Sequence, residues 1–211
     1  MTIHDISLMI HEDMVSWPTQ PRFERRYLSH QDRGDRATVT YFCISAHAGT
    51  HVDGQNHFLP GSHPGVDALD LNILVGSAQV IDVGQANALT ASVFEAHVIP
   101  AGTERLLVKT QNSARWARGE INFAEAYVAV TADGARWLVE HKIRLIGVDY
   151  LSVAPYVDLT VPHEILLGAN VHIVEGLNLS DIGPGAYQFV CLPLKISGCD
   201  GAPARAILIS D

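Results

Sequence analysis

Cysteine is scarce: the 211 residues hold three, Cys43, Cys191 and Cys199, and no pair has C-x-x-C spacing. An odd, sparse set argues against a disulfide framework or a zinc knuckle. It fits reduced thiols and predicts a cytoplasmic protein. Basic charge is also short. Lys and Arg number 14 against 23 Asp and Glu, the formal net charge is −9, and Arg25-Arg26 is the one basic doublet. A nucleic-acid backbone needs a basic footprint, so no nucleic-acid partner is expected. Long apolar runs are missing, which argues against a membrane span. The stretch from Met1 to Met14 has acids and histidines but no basic start before an apolar core, so no signal peptide is expected.

What is present reads as globular. Hydrophobic residues make up 47% and charged residues 18%. With no internal repeat, low-complexity tract or linker, one domain over residues 1–211 is predicted, long enough to bury a core.

Chemistry concentrates in His47-Ala48-Gly49-Thr50-His51-Val52-Asp53-Gly54-Gln55-Asn56-His57-Phe58. Imidazole and carboxylate suit zinc, manganese or iron better than calcium. His47, His51, Asp53, His57 and Gly49 all fall at odd positions. An extended run would aim all four ligand side chains to one face. Gly49 would leave room there for an ion or a close backbone, and Gly54 would let the chain turn before His57. A helix fits worse, because Asp53 would point away from His47 and His51. With 11 histidines in the chain some closeness is expected by chance, but four ligand types in so short a run point to a metal site.

The remaining pattern is rich in strands. Strands are predicted over Ile3–Ile10, Phe23–Leu28, Thr38–Ala46, Ser77–Val83, Arg105–Lys109, Ile143–Val148, Val171–Glu175, Ala186–Ile196 and Ala204–Ile209. Thr90 and Thr131 are candidate helix caps, with helices expected through His97 and over Ala132–Lys142. Another short helix is expected at Pro162–Leu167, and Gln111–Ile121 reads as a loop. His163, in the first turn of that short helix, and Glu175, ending an apolar strand, are candidates for a second ion. A glutamate there is costly unless it is paired, ligating or facing water. His172 points to the opposite strand face and reads as structural. Trp17, before Pro18, is either a core anchor or a pocket residue.

The histidine stretch resembles the signature H-x-G-T-H-x-D-x-P-x-H of the cyclase family of metal-dependent hydrolases, which includes bacterial kynurenine formamidases and isatin hydrolases. Asp5-Ile6-Ser7, Trp17-Pro18, Ile146-Gly147-Val148-Asp149, Leu151-Ser152, His163-Glu164-Ile165-Leu166-Leu167, Val174-Glu175-Gly176-Leu177, Leu192-Pro193-Leu194-Lys195 and Gly201-Ala202-Pro203-Ala204-Arg205 extend the likeness along nearly the whole chain. Two departures stand out. Gln55 occupies the place of the motif proline, and Pro162-His163-Glu164 stands where formamidases carry a His-His pair.

The resemblance implies an α/β fold, the family's swivelling β/β/α domain, with a mixed, strand-rich sheet and flanking helices. It implies that His47, His51 and Asp53 hold a first metal, and that Asp53 and Glu175 bridge to a second completed by His163. His57 would be the proton donor and acceptor, and Trp17 the substrate-contacting aromatic. One or two divalent ions per subunit are implied, zinc or else manganese, in a homodimer or homotetramer. The expected reaction is hydrolysis of a small amide, with N-formylkynurenine as leading substrate. Ring opening of isatin or another cyclic amide or lactone is the alternative, and a non-catalytic metal-binding module the third reading. His51-x-Asp53 with a distant histidine also resembles the facial triad of oxoglutarate-dependent dioxygenases. Those need an arginine soon after the distal histidine, and none follows His163 or His172 before Arg205.

Overall fold

The computed structural model describes residues 1–211. Ten strands form: β1 (Thr2–Asp5), β2 (Glu24–Ser29), β3 (Val39–Cys43), β4 (His51–Asp53), β5 (Val75–Asp82), β6 (Arg105–Lys109), β7 (Leu145–Val148), β8 (His172–Glu175), β9 (Gly185–Pro193) and β10 (Gly201–Ser210). Five helices accompany them: α1 (Leu71–Leu74), α2 (Ala91–Glu95), α3 (Ser113–Ala117), α4 (Ala132–Glu140) and α5 (Thr160–Gly168). The fold is α/β with a mixed, strand-rich sheet.

Eight strands lie in the order β1-β10-β4-β8-β7-β6-β5-β9, and β9 also pairs with β10, so the sheet closes on itself. β5, β6, β7 and β8 run parallel to one another, while β8 to β4, β4 to β10, β10 to β1, β10 to β9 and β9 to β5 are antiparallel pairs. Parallel strands need crossover connections, and α2, α4 and α5 lie in those crossovers. β2 and β3 form a separate two-stranded ribbon.

Side-chain alternation along the parallel strands builds two cores. Leu106, Val108, Ile146, Val148 and Ile173 face the helices, against Phe94 of α2, Leu138 of α4 and Leu166 of α5. Leu107, Leu145 and Val174 face the other way, against Val52, Val80, Phe189 and Leu208 inside the closed sheet. Thr90 and Thr131 cap their helices as expected, accepting from the N–H groups of Val93 and Gly134. The first strand is shorter than predicted, because Ser7 leaves the ladder to bond its hydroxyl to Ala206 O at 3.1 Å.

Two expectations fail. The Gln111–Ile121 segment is not all loop, since α3 forms within it. Buried Asp149 accepts from the N–H and hydroxyl of both Thr110 and Ser113, at 2.7–3.1 Å, and so organises this turn after β6. Nor is the histidine stretch one extended run. Only His51, Val52 and Asp53 are strand; His47 lies in the preceding turn and His57 in a single 3-10 turn over Gln55–His57.

The strand is interrupted because Gly49 sits at φ 63° and Gly176, after β8, at φ 69°. There the two backbones touch: a Cβ on Gly176 would lie 2.2 Å from Gly49 O. Thr50 stitches the same junction, its hydroxyl donating to Gly176 O at 2.6 Å and accepting from Leu8 N at 2.8 Å. Replacing Gly176 with Ala combines left-handed backbone strain with a backbone clash. It is expected to lower stability by about 2–5 kcal/mol, read from urea unfolding of the metal-free protein.

Candidate metal centre

β4 lies between β10 and β8. The register sets His51 opposite Glu175 and Asp53 opposite Gly201. Cross-strand partners share a face, so residues far apart in sequence meet. His51, Asp53 and Glu175 are 0%, 1% and 3% exposed. His51 Nε2 lies 3.1 Å from Glu175 Oε2 and 3.6 Å from Asp53 Oδ1. α5 brings His163 Nε2 to 3.3 Å from Glu175 Oε1 and 3.7 Å from Asp53 Oδ2. His47 Nδ1 lies 3.1 Å from Asp53 Oδ1. The five ligand residues expected from the sequence therefore converge. His51, Asp53 and Glu175 do so through strand register, while His47 comes from the preceding turn and His163 from α5.

The ring hydrogen bonds define what the cluster can hold. His51 Nδ1 donates to Gly49 O at 3.0 Å, and His163 Nδ1 donates to Leu159 O at 2.6 Å. A carbonyl only accepts, so in each neutral ring the Nε2 carries a lone pair. Those lone pairs face carboxylate oxygens. His51 Nε2 and Asp53 Oδ2 are buried without any hydrogen-bond partner. Electron pairs held against each other away from solvent-exposed surface call for a cation between them. The donor set of imidazoles and carboxylates fits a divalent metal. His51, Asp53 and Glu175 offer ligand atoms within 4.8 Å of one another, as do His47, Asp53 and His57.

Protons balance these charges in the metal-free protein. Burial opposes ionisation of Glu175, but the hydrogen bond to His163 and the nearby imidazole of His51 hold its carboxyl well below the usual range. Burial also opposes a charged His163, and the Glu175 hydrogen bond outweighs it and raises the ring. His57 goes the other way: burial lowers it, and its neighbours do not compensate.

A cavity of about 150 Å³ opens on the cluster, lined by Trp17, His57, Phe58, Leu151, His163 and Glu175 among others. It sits at the carboxyl ends of β7 and β8. Trp17 is half-buried. It packs edge-on against Phe123, with ring centroids 4.9 Å apart, and it lines the cavity. His57 stacks on His47 at 3.9 Å, which places it within reach of the ligand set as well as the cavity. His172 is buried elsewhere and takes no part. Glu175 does not face water at its strand end. A larger open groove of about 610 Å³, near Gly102, Lys142 and Asn170, holds none of these ligand groups.

Three contacts were not foreseen. Phe58 stacks on His163, with centroids 4.0 Å apart. Asp200 Oδ2 lies 3.1 Å from His47 Nε2. Gln55 Nε2 donates to Leu167 O at 3.3 Å and to Asn170 Oδ1 at 3.1 Å, tying the His57 turn to the end of α5. Of these only Phe58 directly adjoins a predicted site residue, His57, in the sequence. Asp200 belongs to a turn 153 residues from His47, and no local spacing marks it.

Comparison with known proteins agrees with this geometry. The family model Cyclase, described as "Putative cyclase", matches residues 4–155. "Cyclase-like protein 3" of Oryza sativa subsp. japonica is 39% identical over 98% of this chain and 79% of its own length. "Kynurenine formamidase" of Bacillus anthracis is 33% identical over 97% of this chain and 95% of its own. The solved structure of a "predicted metal-dependent hydrolase from Bacillus stearothermophilus" superposes with a TM-score of 0.82 at 30% identity, covering 98% of this chain and 97% of that one. A buried His/Asp/Glu cluster on this closed sheet, with sequence likeness over nearly the full length, assigns the chain to the cyclase family.

Proposed function

We propose that this protein is a metal-dependent hydrolase of small amides, of the arylformamidase type, converting N-formylkynurenine to kynurenine and formate. The observation that carries this reading is the cross-strand set His51, Asp53 and Glu175, with unpartnered ligand atoms on His51 and Asp53, behind an aromatic-lined cavity that reaches Glu175 and His163. In this reading His47, His51 and Asp53 hold one divalent ion. Asp53, Glu175 and His163 would hold a second. Zinc is the proposed ion and manganese the alternative. Residues 1–211 act as one domain in the cytoplasm, consistent with three free cysteines. No helix is long and apolar enough to cross a membrane. Assembly as a homodimer or homotetramer is supported by the β2–β3 ribbon, which exposes Leu28, Tyr41 and Phe42.

A divalent ion held here would supply acidified water and a positive charge for the substrate carbonyl oxygen. The chain's own residues do the rest. Trp17 and Phe58 wall the cavity and favour a flat, aromatic substrate. Leu151 and Leu159, in the same wall, exclude bulk water. His57 has Nδ1 turned towards Asp200 at 3.5 Å, so Nε2 is the nitrogen left to take a proton and return it to the leaving amine.

Metal analysis coupled to a hydrolysis screen tests the reading. About one or two zinc or manganese ions per chain and turnover of N-formylkynurenine are expected. Turnover of isatin alone would favour cyclic amides, and metal without turnover of any amide or lactone would mean a binding module. His57→Ala is expected to keep its metal and lose about 10²- to 10⁴-fold in kcat. Loss of metal instead would make His57 a ligand.

The pH dependence follows from His47. Burial disfavours its charge, but the hydrogen bond and charge of Asp53, with help from Asp200, raise it from 6.5 to about 9. Its contribution to metal-free stability is full below pH 6.5 and is lost as pH rises to about 9. Metal binding must displace that proton, so affinity climbs over the same interval. Thermal melts of metal-free protein should show Tm falling from pH 6.5 to 9 while zinc affinity, from chelator competition, rises. A flat Tm over that interval would contradict the assignment.

A further inference from the structure

The turn between β9 and β10 folds onto the histidine stretch along its backbone. Gly54 N donates to Asp200 O at 2.8 Å, Val66 N to Cys199 O at 2.9 Å, and Asn56 Nδ2 to Gly198 O at 3.1 Å. Gly201 follows directly. A Cβ there would lie 2.5 Å from His47 Cε1, so the His47 ring lies flat against the strand only because this position is glycine. The backbone on both sides of Asp200 is thus held, and its carboxylate is delivered to one place.

That place is between two imidazoles. Asp200 Oδ2 is 3.1 Å from His47 Nε2 and 3.5 Å from His57 Nδ1. The two rings are stacked, with 24° between their planes, so one oxygen meets the edges of both. His51 and His163 each turn Nδ1 to a main-chain carbonyl and Nε2 to the carboxylates. His47 is the reverse. Its Nε2 faces Asp200 and its Nδ1 faces Asp53.

We propose that Asp200 is a positioning residue: it accepts the Nε2–H of His47, leaving Nδ1 as that ring's ligand atom, and aligns His57 beside it. The inference rests on the metal-hydrolase reading given above. It assigns His47 the tautomer opposite to that of His51 and His163. It also makes Asp200 the one charged acceptor behind the three rings, the other two being the carbonyls of Gly49 and Leu159. A carboxylate behind an imidazole raises the ring's basicity and fixes its orientation, and losing such a partner typically weakens metal binding about 10- to 100-fold. Because the same oxygen serves His57, its loss also disturbs the proton path at full metal occupancy.

Asp200→Ala and Asp200→Asn, each measured against wild type, test this. Metal-free Asp200→Ala is expected to melt within a few degrees of wild type, since the Asp200 backbone bonds remain. Zinc affinity by chelator competition should fall about 10- to 100-fold in Asp200→Ala and less in Asp200→Asn, whose amide oxygen still accepts. With zinc saturating, kcat should fall while KM stays near wild type. Long-range imidazole ¹H–¹⁵N correlations of the zinc-loaded wild type should place the His47 proton on Nε2 and those of His51 and His163 on Nδ1. Wild-type zinc affinity in both variants, or a His47 proton on Nδ1, would overturn the proposal. If wild type itself holds no zinc, the hydrolase reading fails first. Should Asp200→Ala not fold, Asp200→Asn and the wild-type spectrum still decide.

Discussion

Two carboxylates and three imidazoles, packed together in the interior, are the constraint around which this molecule is arranged. Asp53 and Glu175 would each be costly to bury alone. Across the β4–β8 pair they share the neighbouring His51, and α5 adds His163 from the side. The cost is offset either by protons, in the metal-free protein, or by cations. The same cluster therefore links folding, pH and metal binding.

Much of the surrounding structure serves to keep that pair in register. A slip of one residue between β4 and β8 would turn His51 away from Glu175 and place Val52 in the site. The contact of Gly49 with Gly176, where a side chain would meet backbone, permits only one approach of the two strands. Thr50 bonds across the same point. Glycine and threonine in the histidine motif are therefore not spacers between ligands. They hold the segment that carries Glu175 against the segment that carries His51.

Departures from the family signature find local substitutes. A proline at position 55 would stiffen the His57 turn through its fixed φ. Gln55 lacks that ring, but its amide reaches Leu167 and Asn170 at the end of α5. The turn is restrained by a tertiary contact instead of by its own backbone, and the restraint runs to the helix that bears His163. Asp149 has a comparable role behind the site. Its buried carboxylate gathers the chain after β6, and its carbonyl accepts from Trp116 Nε1 at 2.9 Å.

Local chemistry in the sequence determined which atoms could hold a cation, because ligand identity is a property of side chains and the early histidines stand close together. It also determined most strands and the helix caps at Thr90 and Thr131, since alternation and capping act over a few residues. Tertiary structure decided what no short window contains. It paired His51 with Glu175, brought Asp200 to His47, closed the sheet through β9 and β10, and broke the extended histidine run into turn, strand and 3-10 turn. Register, strand order and close backbone approach depend on contacts between residues tens to more than a hundred positions apart, and those contacts exist only once the chain has folded.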